Sequence, residues 1–90
     1  MTYSNQPKDE AAGASAGRLR AQALLGNGRV LSNVGRYDEA LAMVEQAIEA
    51  DPTYDRAVLA RAFILSKLGR SSEAVAIVED FLAKDPNNYY

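Results

Sequence analysis

Apolar positions recur along this chain with the period of an α-helix, in two matched sets. Ala40, Val44, Ala47 and Ile48 stand at i, i+4, i+7 and i+8, which places them on one helical face. Ala74, Val78, Phe81 and Leu82 repeat that spacing further on. Upstream of each set, Leu24, Leu31 and Val34, and then Val58, Leu65 and Leu68, keep seven- and ten-residue steps on one side of a helix. The pattern predicts four helices in two pairs. Gly35 and Gly69 are expected to stop the first helix of each pair, because glycine enters the left-handed conformation without steric cost. Asp38 and Glu39 in one pair, and Ser71, Ser72 and Glu73 in the other, are expected to start and cap the second helices. Pro52 and Pro86 then close each pair, since proline disfavours a helical residue before it and has no amide to donate.

The two sets belong to one internal repeat. With Ala21–Tyr54 laid over Asp55–Asn88, thirteen of thirty-four positions are identical, including Leu31/Leu65, Gly35/Gly69, Arg36/Arg70, Glu39/Glu73, Ala40/Ala74 and Pro52/Pro86. The near-matches Val30/Ile64, Leu41/Val75 and Met43/Ile77 exchange apolar for apolar. Self-similarity at a fixed period marks stacked supersecondary units, here antiparallel helical hairpins with short turns.

The period of thirty-four and the order of small and large residues resemble the tetratricopeptide repeat family. Gly28 and Ala62 stand where that family places a small residue late in the first helix, against Ala40 and Ala74 of the second. The stretches GRYDEA and ADP resemble its inter-helix turn and end of repeat. The likeness covers about Ala21 to Asn88. It departs at Leu24 and Val58, where the family has a large aromatic, at Leu31 and Leu65 in place of a tyrosine, and at Ser71 in place of the aromatic at Tyr37. The resemblance implies an all-α fold, two hairpins stacked as a short right-handed α-solenoid, with residues 21–54 as one repeat and 55–88 as the next. Residues 1–20 are expected to form a flexible tail that frays before about Arg18, with a backward extension of the first helix from Asp9 as the alternative. Residues 89–90 are the C-terminal end.

Two repeats are few for a stacked architecture, in which each unit buries a face only against its neighbours. The last helix carries Val75, Ile77, Val78, Phe81 and Leu82, more apolar surface than one adjacent helix covers. Three arrangements would cover it: a homodimer that caps itself, neighbouring repeats of a longer array, or the N-terminal segment. Sequential stacking sends that segment to the other end.

Composition narrows the function. The chain has no cysteine and no histidine, so thiol chemistry, imidazole acid–base catalysis and the commonest metal ligands are missing. The acidic pairs Asp38-Glu39 and Glu79-Asp80 fall on helix starts and wet faces, with nothing expected to raise their pKa. Ser32 and Ser66 lack a base partner, and Gly26–Gly28 lacks the setting of a phosphate loop. No enzyme activity, cofactor or metal is expected. No apolar run approaches the ~20 residues that span a bilayer, and the N-terminus has no secretory pattern. A cytoplasmic protein without membrane contact is the expectation. A period of thirty-four and a sequence pI near 5.0 also argue against a basic RNA-binding helical repeat.

Charge placement gives a direction. The first helices carry Arg29, Arg56, Arg61 and Lys67 against Asp55 alone, whereas the second helices carry seven acids against Lys84. In the tetratricopeptide arrangement the first helices line a concave groove, so the resemblance implies a positive groove and a negative back. By the same register, Gln22, Leu25, Arg29, Ser32 and Asn33, with Arg56, Leu59, Ala60, Phe63 and Lys67, face the groove. Arginine grips carboxylates through a bidentate fork, and an aromatic among arginines on a concave wall resembles a binding hot spot. The site residues expected for a peptide groove are Arg29, Asn33, Arg56, Leu59, Phe63 and Lys67. The lysine and asparagine pattern of the family's chaperone-tail clamp is replaced by Leu25, Arg29 and Ala60. The function expected is a protein-interaction module for a short acidic or C-terminal peptide. The alternative is a structural scaffold or homodimer that associates through Val75, Val78, Phe81 and Leu82.

Overall fold

A computed structural model of the chain describes the backbone of residues 5–84 and the side chains of residues 16–84. The second boundary proline, Pro86, lies outside the described residues. Four helices follow one another: α1 (Asn5–Asn33), α2 (Tyr37–Ala50), α3 (Asp55–Lys67) and α4 (Ser71–Lys84). No strand occurs among the described residues. The fold is all-α.

Each hairpin is closed by the same device. Gly35 and Gly69 both adopt a φ of 82°. The amide of Gly35 donates to the carbonyl of Ser32 at 3.0 Å, and that of Arg36 to Leu31 at 2.9 Å. Gly69 to Ser66 and Arg70 to Leu65 repeat the pair at 3.1 and 2.8 Å. These are Schellman caps, in which a left-handed residue turns the chain back and satisfies the orphan carbonyls of the last turn. The turn that follows sends the next helix antiparallel along the first. Two close approaches fix that direction in the first hairpin. A Cβ on Gly17 would lie 3.0 Å from the carbonyl oxygen of Ala50, and one on Gly28 would lie 2.9 Å from Val44 Cγ2 and 3.3 Å from the Ala40 oxygen.

The helix starts differ from expectation. Arg36 is the N-cap of α2 and no side chain hydrogen-bonds the free amides there; the same holds at Tyr54, the N-cap of α3. Asp38 and Glu39 do sit in the first turn of α2, where negative charge suits the helix end. Glu39, however, engages the guanidinium of Arg36, with one bond from Nη2 to Oε2 of 2.8 Å. Glu73 likewise accepts from Arg70 Nε and Nη2 at 2.8 and 2.9 Å. In each repeat the arginine after the glycine and the glutamate three residues on prefer one another to the backbone.

α1 begins at Asn5, well before Arg18, where the expected fraying ends. Pro7 falls in the first turn, a position that tolerates its missing amide. The alanines among residues 11–16 favour the helix against the cost of Gly13, and Gly17 permits the close approach to α2.

The core is built mostly of small residues. Ala21, Leu25, Ala40, Leu41, Val44, Ala47, Tyr54, Ala57, Ala62, Ile64, Leu65 and Ala74 are buried. Leu24, Leu31, Ile48, Leu68 and Ile77 pack against them partly covered. Two members of the predicted stripes, Val34 and Val78, are exposed instead. α1 packs on α2 and α3 on α4, while α2 and α3 form the junction between repeats.

Candidate functional site

The junction opens a cavity of about 550 Å³ between the first helices of the two repeats. α1 contributes Leu25, Arg29, Ser32 and Asn33 to its wall, and α3 contributes Arg56, Leu59, Ala60 and Phe63. Val44 and Ile64 complete the lining. Eight of the ten residues assigned to the groove by register therefore share one cavity. Helical spacing explains the convergence: Arg29, Ser32 and Asn33 occupy neighbouring turns of α1, and Arg56, Leu59, Ala60 and Phe63 follow one face of α3. Gln22 is not part of the lining. Lys67 is not either, but its Nζ stands 5.3 Å from the ring centroid of Phe63, a cation–π distance.

The chemistry of the wall is mixed. Leu59 and Phe63 expose apolar surface, Leu25 is buried beneath them in the core, and Ser32 and Asn33 supply neutral hydrogen-bonding groups. Arg29 and Arg56 form no ion pair among the described residues. Arg61 differs. Its Nε lies 3.5 Å from Glu45 Oε2 across the α2–α3 junction, and that nitrogen is buried without a hydrogen-bond partner. The first-helix charge that reaches the cavity is thus carried by Arg29 and Arg56, with Lys67 at its edge.

Of the residues expected to self-associate, Val75 and Val78 are exposed on α4, and Phe81 and Leu82 are half-buried. A second cavity of about 390 Å³ is lined by Ser71, Ser72, Val75, Ala76 and Glu79 on the same helix.

One polar cluster was not foreseen from the sequence. Arg18 Nε donates to Asp51 Oδ2 at 2.6 Å, and the guanidinium carbon sits 4.7 Å from the ring centroid of the buried Tyr54. Asp51 also accepts from the Thr53 amide at 3.0 Å and the Thr53 hydroxyl at 2.6 Å. These bonds, Thr53 first and Arg18 second, hold the Asp51 carboxyl below the usual carboxylate range. The order Asp51-Pro52-Thr53 is a local signal for such an Asx turn. Nothing local points to Arg18. The cluster ties α1 to the connection between repeats.

Two stacked antiparallel hairpins whose first helices line one cavity define a helical-repeat protein. Residues 34–90 match a family model for the tetratricopeptide repeat, and residues 21–46 match a second model of the same description. The chain belongs to the tetratricopeptide repeat family. No curated protein and no solved structure matches it. Tetratricopeptide repeats are in general protein–protein interaction modules and typically non-catalytic. No helix among the described residues is long and apolar enough to cross a membrane.

Proposed function

We propose that this chain captures a short acidic or C-terminal peptide segment of a partner protein in the cavity between α1 and α3. The observation that carries the reading is the placement of Arg29 and Arg56, one from each repeat and neither in an ion pair among the described residues, on the wall that also exposes Phe63 and Leu59. Two guanidinium forks on opposing helices suit two carboxylates, or one carboxylate and a chain terminus. Phe63, with Lys67 over its ring, provides a flat apolar surface for a side chain between them. Site roles for Arg29, Asn33, Arg56, Leu59, Phe63 and Lys67 follow from this reading.

The test uses fluorescein-labelled peptides rich in Asp and Glu, each made with a free and with an amidated C-terminus. Anisotropy should rise with the native chain, weaken with added salt, and fail with Arg29→Glu/Arg56→Glu while circular dichroism stays helical. Equal binding by the double variant would overturn the proposal.

A second reading, self-association, is favoured by the exposure of Val75 and Val78 on α4. The two readings use different faces and do not exclude one another.

A further inference from the structure

Among the described residues one junction joins the two repeats, and counterparts of both its sides recur, largely exposed, elsewhere on the molecule. The ion pair between Glu45 and Arg61 identifies the faces of α2 and α3 that meet there. By helical spacing from that pair, the α3 side is Ala57, Arg61 and Ile64, with Leu68 at the C-cap just past the helix, and the α2 side is Leu41, Glu45 and Ile48, flanked by Val44. Steps of three and four residues keep each set on one side of its helix.

The repeat places counterparts of both sets thirty-four residues away. The equivalents of Ala57, Arg61, Ile64 and Leu68 are Ala23, Asn27 and Val30 on α1 and Val34 just past its end. Ile64 is 2 % exposed, but Val30 is 64 % and Val34 66 % exposed, and Ala23 and Asn27 are open as well. On α4 the equivalents of Leu41, Val44, Glu45 and Ile48 are Val75, Val78, Glu79 and Leu82, the last half-buried. Leu41 is 8 % and Val44 0 % exposed, whereas Val75 is 54 % and Val78 37 %. The open face of α4 is a copy of the α2 side of the junction, and the open face of α1 is a copy of the α3 side. Apolar character is kept at the packing positions of both, and the Glu45–Arg61 pair becomes Glu79 facing Asn27, a carboxylate opposite an amide donor.

We infer that a second copy of this chain stacks head-to-tail, with its α1 on the α4 face of the first in the geometry of the internal α2–α3 junction. The inference rests on the self-association reading and adds the partner surface, which is α1 rather than a second α4. Such a contact is heterologous: each added copy presents a fresh α4 face, so assembly grows open-ended rather than stopping at a two-fold dimer. The first helices of successive copies then stand side by side, and the concave wall carrying Arg29 and Arg56 continues from one copy to the next.

Sedimentation velocity on the full chain, from micromolar to submillimolar concentration, tests this. The weight-average sedimentation coefficient should climb without a plateau at the dimer. Val30→Glu/Val34→Glu on α1 and Val75→Glu/Val78→Glu on α4 alter exposed positions, and circular dichroism checks that both variants stay helical. Each variant alone should weaken association at least about tenfold, the cost of a charge in an apolar contact. Mixed, the two variants should form a one-to-one dimer and go no further, since only one intact face of each kind remains. A native chain that stays monomeric throughout would overturn both the stacking and the self-association reading. Association that survives in the α1 variant but is lost in the α4 variant would overturn the stacking alone.

Discussion

Arg18 and Asp51 are joined by a bond of 2.6 Å across thirty-three residues of sequence, so the N-terminal part of α1 is fastened to the turn that begins the second repeat. Because the same guanidinium lies against Tyr54, its removal costs an ion pair and an aromatic contact together. Arg18→Ala should lower the Tm by about 5 °C, measured by thermal circular dichroism. Arg18→Lys should recover only part of the loss, since an ammonium lacks the planar fork.

Acid should weaken the fold through the same carboxylate. Asp51 and Glu73 both have folded pKa values held down, by Thr53 with Arg18 and by Arg70 respectively. A group whose folded pKa is lowered stabilises above its unfolded value, near pH 4, and loses that contribution as pH falls through the folded value. The Tm should therefore drop below about pH 4. In Asp51→Asn the drop should be shallower, with a lower Tm at pH 7. An unchanged acid profile in that variant would contradict the assignment.

Glycine-to-alanine changes should split by sign. At Gly35 and Gly69, where φ is 82°, alanine should destabilise by about 1–2 kcal/mol through the left-handed backbone. At Gly28 the new methyl would meet Val44 Cγ2 at 2.9 Å; Val44 is fully buried and β-branched, so it cannot swing aside, and the change should also destabilise. At Gly26 nothing lies within 4 Å of the added carbon, and alanine should stabilise by up to about 1 kcal/mol through helix propensity. Urea denaturation of the four variants checks all three statements.

Leu25 and Leu59, one of the leucine pairs that the repeat aligns, should behave unequally. Leu25 is 3 % exposed and Leu59 40 %. Leu25→Ala should cost about 2–5 kcal/mol, and Leu59→Ala less than about 1 kcal/mol.

That inequality also shows which features the chain declares in its sequence. The hairpins are legible because their causes are local: the positive-φ glycines, the helical stripes and the thirty-four-residue period all act within a few turns. Burial at equivalent positions is not legible, because it depends on what stands beside a helix. Ile64 is 2 % exposed on α3, which packs on α2 and α4, whereas its counterpart Val30 is 64 % exposed on α1. The sharing of one cavity by Arg29, Arg56 and Phe63 follows helical spacing together with the register that the tetratricopeptide resemblance implies. Arg61, counted among the first-helix charges but outside the groove register, lies instead beside Glu45 of α2, a pairing between helices that no local pattern encodes. The contacts of Arg18 are not legible either, because Asp51 and Tyr54 give it a place that no local pattern encodes.

The most direct measurement is an NMR titration of the isotope-labelled chain with an acidic peptide bearing a free C-terminus. Amide shifts should concentrate at Arg29, Ser32, Asn33, Arg56 and Phe63, with the acid-rich faces of α2 and α4 unmoved. Shifts centred on α2 or α4, with Arg29 and Arg56 silent, would contradict the proposed peptide site.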